Sequence, residues 1–320
     1  MTRLNFPLKR NYCNPAWKPP PPDMPGTRET HNIRETLSWG SMLLSSAGIE
    51  TPGLDASILL AYILKTTREA LIAHSTDSVS QYDINEFGAL LNRRKNGECA
   101  AYITGKKEFL GLEFEVNPSV LVPRPETEIL AETALDYLKK RNGTLRVLDL
   151  CTGSGAIAVS LKSIMPRLEV YASDISHDAL ETARKNASRL LGATNSITFL
   201  QGDLFNALRR HSPAPCSLPA FSLIACNPPY IPSVKISSLP REVQNEPRIA
   251  LEGGETGFFI ISRIIGEAQG YLDSGSLLLL EADPGQMPEI NTLFTKNNFH
   301  GINIYNDLAG LQRVIGGIRD

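Results

Sequence analysis

Apolar residues change their spacing along this chain, and the changes divide it. From residue 33 to about 107 they recur at helical intervals. Ile33, Leu37 and Leu44 fall on one face of a helix that Gly48 can stop. Thr51-Pro52 reads as an N-cap followed by proline at the first helical position, with Ile58, Leu59, Tyr62 and Ile63 continuing a stripe behind it. Leu71, Phe87, Leu90 and Leu91 supply further helical faces. The spacing predicts a small N-terminal helical domain over residues 31–107.

Residues 108–124 change character. Leu110-Gly111-Leu112, then Phe114 and Val116, then Val120 to Val122 read as two short strands around Asn117-Pro118, a β-hairpin joining two domains. Pro125 can start a helix in which Ile129, Leu130, Thr133, Ala134, Tyr137 and Leu138 share a face. Beyond Gly143, apolar runs at 145–150, 170–173, 197–200, 221–226 and 277–281 alternate with helical stretches at 156–164, 178–191 and 258–272. That alternation predicts an α/β domain over 125–320, with a largely parallel sheet covered on both faces. Residues 209–219 contain three prolines and read as a surface insertion. Residues 1–30, with the run Pro19 to Pro22, read as a proline-rich tail.

The 320 residues are 42% hydrophobic and 21% charged, enough to bury a core without disulfides or metals. A net charge of -2 gives no overall pull toward nucleic acid or an anionic membrane. No apolar run approaches the roughly twenty residues needed to cross a bilayer. Cys13, Cys99, Cys151, Cys216 and Cys226 form no CxxC pair, and the five histidines fit no metal spacing or triad. No metal site is expected, and reduced thiols fit a cytoplasm. Arg3, Lys9 and Arg10 precede the first acid, Asp23, without an apolar signal core.

Two short segments carry the chemistry. Val147-Leu148-Asp149-Leu150 leads into Cys151-Thr152-Gly153-Ser154-Gly155 and then a helical pattern. A glycine-bearing turn after a strand lets a ligand lie against the backbone, and such loops sit at the carboxyl edge of open α/β sheets. It is neither the GxGxxG form nor a P-loop. The next strand ends at Asp174, whose carboxylate can accept both hydroxyls of a ribose. Asp203, in Gln201-Gly202-Asp203-Leu204-Phe205, follows the third strand, where it can flank an adenine; a loop or capping aspartate is the plainer reading. Together these features predict a nucleoside cofactor.

The second segment, Asn227-Pro228-Pro229-Tyr230, follows the strand at 221–226 and so lies on the same sheet edge. The Asn227 side-chain oxygen and the Pro228 carbonyl can accept the N–H groups of an amide or aromatic amine. Acceptors so placed orient the delocalised lone pair and stabilise positive charge developing on nitrogen. Proline fixes φ and removes competing donors, and Tyr230 offers a flat face. No covalent nucleophile is needed.

With these segments in order, the chain from about Arg34 to Ile318 resembles the HemK-type release-factor glutamine methyltransferases. The similarity is carried by Ala101-Tyr102-Ile103-Thr104-Gly105 with Phe109-Leu110-Gly111-Leu112, by Val122-Pro123-Arg124-Pro125-Glu126-Thr127-Glu128, and by the glycine loop. It continues through the Asn-Pro-Pro-Tyr tetrad, Asn245-Glu246-Pro247-Arg248 with Ala250-Leu251 and Gly253-Gly254, and Asp307-Leu308-Ala309-Gly310. The tetrad alone is shared with DNA adenine methyltransferases; the Pro-Arg-Pro-Glu-Thr-Glu run is far more specific.

The resemblance implies a seven-stranded Rossmann-like methyltransferase sheet with a small helical N-terminal domain that helps hold a protein substrate. It implies S-adenosyl-L-methionine as methyl donor, leaving as S-adenosyl-L-homocysteine. The cofactor positions it carries over are Cys151, Thr152, Gly153, Ser154, Gly155, Asp174, Asp203, Leu204 and Asn227. The catalytic and substrate positions are Asn227, Pro228, Pro229 and Tyr230. The implied target is the glutamine of the Gly-Gly-Gln motif in class I peptide chain release factors. A cytoplasmic monomer acting in translation termination, without membrane or stable nucleic-acid binding, is the expectation. Cys151 departs from the usual glycine; a cysteine there is familiar in a sister subfamily acting on a ribosomal protein, but the Pro-Arg-Pro-Glu-Thr-Glu run favours the release-factor branch. Ala282-Asp283-Pro284 also departs from the family pattern. A DNA adenine methyltransferase would need a basic groove-reading module, and a non-catalytic scaffold would not need the tetrad.

Overall fold

The computed structural model describes residues 31–192, 196–210 and 220–320. The tail expected over 1–30, and residues 211–219 of the expected insertion, lie outside the described residues. The chain forms two compact units that divide between Lys95 and Asn96.

In the first unit β1 (His31–Asn32) precedes α1 (Ile33–Ser46), α2 (Pro52–Leu64) and α3 (Arg68–Ala73); β2 (Ser78–Val79) then precedes α4 (Gln81–Lys95). The two short strands pair antiparallel. A capping box starts α1: Asn32 Oδ1 accepts the Glu35 N–H at 2.9 Å, and Glu35 Oε2 accepts the Asn32 N–H at 3.2 Å. The buried face of α2 differs from the stripe read in the sequence. Asp55, Ala56, Leu59 and Leu60 point inward, while Tyr62 is exposed. Asp55 turns inward because Arg94 donates to its Oδ2 at 2.7 Å, a partner 39 residues away. A buried carboxylate is tolerable when so paired.

The second unit opens with α5 (Ala100–Thr104), so this helix of the 31–107 stretch belongs here. Next come β3 (Lys106–Phe109) and β4 (Leu112–Glu115). Their hairpin turns at Leu110-Gly111 rather than around Asn117-Pro118, and no strand follows over 117–122. Both turn residues have left-handed backbone, φ 48° and 72°, the sense that suits a two-residue hairpin. Leucine is disfavoured in that conformation, which hides the turn in the sequence. Glu128 Oε1 accepts the Leu110 N–H at 2.9 Å and helps hold it.

The remainder alternates as the apolar runs predict. The order is α6 (Pro125–Lys139), β5 (Arg146–Leu150), α7 (Ala156–Ile164), β6 (Glu169–Asp174), α8 (His177–Leu191), β7 (Thr198–Gln201) and α9 (Asn206–Arg209). Then follow β8 (Phe221–Cys226), α10 (Arg241–Gln244), α11 (Phe259–Ala268), β9 (Leu272–Glu281), α12 (Met287–Lys296), β10 (Phe299–Asn306) and β11 (Gln312–Arg319). The seven-stranded sheet runs β10-β11-β9-β8-β5-β6-β7, parallel from β9 to β7, with β11 antiparallel to both neighbours. It is the Rossmann-like sheet expected. The pattern had not predicted β10 and β11: β10 is an exposed edge rich in polar residues, and Gly316-Gly317 interrupts the apolar run of β11.

Alternate residues of each strand feed opposite cores. Val147, Leu223 and Ala225 pack with α6, α7 and α8 on one face. Leu148, Leu150, Ile224 and Cys226 pack with α9, α11 and α12 on the other. Chain connections leave β5 toward β6 on one side and return to β8 on the other, so a crevice opens at the carboxyl end of β5. Among the described residues, no helix is long and apolar enough to cross a membrane.

Candidate active site

The glycine loop leaves β5 at that crevice. Asp149, fully buried in β5, accepts from Thr152 Oγ1 at 2.6 Å and from the Ala158 N–H at 3.1 Å through Oδ2. One carboxylate thus pins both the turn and the first part of α7. Burial pushes its pKa up to about 7, against these two donors, and among the described residues its Oδ1 has no hydrogen-bond partner. The Thr152 N–H donates to the Ser173 carbonyl at 3.0 Å, tying the loop to β6. At Gly153, φ is 55° and an added Cβ would meet nothing within 4 Å. The backbone is therefore bare toward open space. Cys151 has φ 58° and Leu204 φ 47°, two non-glycine residues held in a strained region. Burial drives the Cys226 thiol pKa well up, with the Cys151 thiol beside it.

Asp174 closes β6. Its Oδ2 accepts the Gly153 N–H and its Oδ1 the Ser176 N–H, both at 2.9 Å. Burial raises its pKa despite these donors. Asp203 has a partner that the sequence did not reveal. Arg263 of α11 grips both of its oxygens, at 3.1 and 2.7 Å. Such a fork fixes the carboxylate's plane.

The tetrad follows β8 and is held from three directions. Gly253 packs so closely against it that an added Cβ would lie 2.8 Å from both the Pro229 oxygen and Tyr230 Cα. Backbone bonds from Ile231 to Leu251 and from Gly253 to Ile231, each 2.9 Å, complete that wall. From below, Gln286 Nε2 donates to the Tyr230 carbonyl at 3.0 Å. From α6, Thr127 Oγ1 accepts the Asn227 Nδ2–H at 3.0 Å. Glu281, at the end of β9 and 2% exposed, receives the Tyr230 hydroxyl at 3.4 Å. Burial pushes its pKa up to about 7, with the neighbouring Thr127 and Tyr230 hydroxyls acting the other way, and its Oε2 has no hydrogen-bond partner among the described residues. Nearby, Glu246 takes Arg124 Nη2 at 2.5 Å and the Val122 N–H at 3.1 Å, joining two of the motif segments.

One cavity of about 560 Å³ gathers most of these groups. Cys151, Thr152, Gly153, Ser154, Asp174, Asp203, Leu204, Asn227 and Pro229 line it, with apolar walls from Ile157, Ile175, Ile249 and Phe259. Gly155, Pro228 and Tyr230 are outside its lining. Gly155 instead packs α7 against α8, where a Cβ would sit 3.1 Å from that of Ala183. Cavities of this size take small cofactors. The bare Gly153 backbone and the desolvated Asp174 carboxylate suit a nucleoside, and the apolar walls suit its base. The residues fit the cofactor inferred from the sequence. Thr127, Glu281, Asp149 and Arg263 escaped sequence reasoning. Asp149 left a signal there, as an acid inside an apolar strand, and Thr127 left one as part of the Pro-Arg-Pro-Glu-Thr-Glu run, though neither pointed to its role. Among the described residues no group of histidine, cysteine and acidic side chains could hold a metal ion.

Comparison with known proteins bears on the same segments. A family model of the PrmC N-terminal domain matches residues 35–105, and one of the methyltransferase small domain matches residues 126–239. The chain is similar to the release factor glutamine methyltransferase of Moorella thermoacetica, at 39% identity over 79% of this chain and 87% of that one. It is 38% identical to that of Nitratidesulfovibrio vulgaris over 91% of this chain and 96% of the relative. For Coxiella burnetii the identity is 39%, over 89% and 98% respectively. Likeness at this level over nearly the whole of each relative means that the chain belongs to the release factor glutamine methyltransferase family.

Proposed function

We propose that this protein transfers a methyl group from S-adenosyl-L-methionine to the side-chain amide nitrogen of the glutamine in the Gly-Gly-Gln motif of class I peptide chain release factors. The observation that carries the reading is that Asn227 and Pro229 open into the same cavity as the glycine loop and Asp174. A cofactor held by the loop and a nitrogen held by the tetrad would then share one cavity.

When bound, S-adenosyl-L-methionine supplies an electrophilic methyl group on sulfur and leaves as S-adenosyl-L-homocysteine. Asp174 would accept the ribose hydroxyls, and the backbone of Cys151 to Gly155 would lie along the cofactor. Asp203, its carboxylate plane set by Arg263, and Leu204 would flank the adenine. Asn227 Oδ1 and the Pro228 carbonyl would accept the two N–H groups of the glutamine amide. As the nitrogen gains positive character, those acceptors stabilise it more than they stabilise the neutral amide, and one proton then departs to solvent. Pro229 and Tyr230 would complete the slot around the amide.

In this reading residues 31–107 help hold the release factor, residues 108–124 link, and residues 125–320 perform the transfer. The enzyme would work as a cytoplasmic monomer without stable nucleic-acid binding. The test is to incubate purified release factor, and separately duplex DNA, with labelled cofactor. Label on the Gly-Gly-Gln glutamine and none on DNA supports the reading; labelled DNA beside an untouched release factor overturns it.

A further inference from the structure

The Asn227 side chain can show the cavity either its oxygen, an acceptor, or its NH₂, a donor. Only the first serves a substrate amide that brings two N–H groups. Both arrangements have nearly the same shape, so the choice falls to whatever the other half of the amide touches. Here Asn227 Nδ2 donates to Thr127 Oγ1 at 3.0 Å.

A hydroxyl both donates and accepts, so Thr127 alone would tolerate either orientation. The Glu281 carboxyl group beside it breaks the tie. That group is buried at the end of β9, where its Oε1 accepts from the Tyr230 hydroxyl at 3.4 Å and its Oε2 has no hydrogen-bond partner among the described residues. When ionised, the carboxylate is acceptor-only and its orphaned oxygen lacks a donor; with the Thr127 hydroxyl proton turned to it, only oxygen lone pairs remain facing Asn227. They accept from the amide NH₂ and would repel the amide oxygen. Thr127 is itself buried, on the stripe that continues through Leu130, Ala131 and Ala134 of α6, so the direction of its hydroxyl is set by core packing.

We propose that Thr127, oriented by Glu281, is a positioning residue that holds Asn227 with its amide oxygen toward the substrate nitrogen. The proposal rests on the reading of Asn227 as the substrate's acceptor. It assigns a function to the threonine of the Pro-Arg-Pro-Glu-Thr-Glu segment through a chain of contacts from α6 and β9 to the loop after β8.

The experiment compares Thr127→Val, Thr127→Ser, Asn227→Ala and the Thr127→Val/Asn227→Ala pair. Release-factor methylation rates are measured beside calorimetric affinity for S-adenosyl-L-methionine. Thr127→Val keeps the shape and loses the hydroxyl; kcat should fall about tenfold, the scale of one lost hydrogen bond, with cofactor affinity unchanged. Thr127→Ser should restore most of the rate. In the Asn227→Ala background, adding Thr127→Val should cost nothing more, because the group it positions is gone. Should valine prevent folding, Thr127→Ala removes the same hydroxyl and is read the same way. Full kcat in the hydroxyl-free variant, failure of serine to rescue, or losses that multiply in the pair would overturn the proposal alone. Asn227→Ala as fast as the parent would overturn the acceptor reading and the proposal with it.

Discussion

The residues that carry the site differ in how they could be found. Asp174 and Asn227 were legible because each follows an apolar strand, and strand ends in this fold class converge on one edge. Thr127 and Arg263 were not, because their partners lie 100 and 60 positions away. No local pattern encodes such a pairing. Cys151 was legible as an oddity, and its φ of 58° explains why a glycine would be easier there. At this scale, Asp174→Ala should weaken S-adenosyl-L-methionine binding by roughly 1.5–3 kcal/mol, the range for hydrogen bonds to a charged group. Isothermal titration on a variant with unchanged melting behaviour checks it. Unaltered affinity would remove Asp174 from the cofactor site.

Among the elements, the parallel strands were readable as short apolar runs because both of their faces are buried. The hairpin turn was not, since a leucine occupies a left-handed position there. The edge strand β10 was lost for the opposite reason, having too little buried surface to leave a pattern. One side chain joins elements that the sequence keeps far apart. Asn186 of α8 donates to the Ser154 carbonyl at 2.9 Å and to the Glu115 carbonyl at 3.0 Å, and accepts the Glu115 N–H at 2.8 Å. It therefore fastens the glycine loop and β4 to one helix. Asn186→Ala leaves the buried Ser154 carbonyl and the part-buried Glu115 backbone groups without this partner and should destabilise the protein by roughly 1–3 kcal/mol. Denaturant unfolding measures this, and a midpoint equal to the parent's would show that the clamp is dispensable.

For the molecule as a whole, the division into two units was visible as a change of period, though α5 falls on the other side of the boundary read from spacing. A chain beginning at Asn96 should keep its cofactor affinity, because every residue lining the cavity lies beyond that point. It should methylate release factor slowly if residues 31–107 hold the substrate; an undiminished kcat/KM would refute that role. Stability should also depend on pH in a defined direction. Burial raises Asp149 and Glu281 to about 7, so the folded state holds their protons more tightly than the unfolded chain does. Their contribution is complete below the usual carboxylate range and is lost as pH rises toward and through about 7. Thermal melts of the parent and Glu281→Gln should show the parent's relative stability falling between about pH 5 and pH 8. A difference that stays flat or grows would contradict the burial argument.

The central claim is that the tetrad holds an amide nitrogen for methyl transfer, and the rate of one variant tests it most directly. With saturating S-adenosyl-L-methionine and a purified class I release factor, the mass of the Gly-Gly-Gln peptide is followed over time for the parent and Asn227→Ala. The account predicts one methyl group on the glutamine, arriving about a hundredfold more slowly in the variant, as for loss of one preorganised polar partner, with cofactor affinity unchanged. Equal rates in the two enzymes, or a methyl group on any other residue, would contradict it.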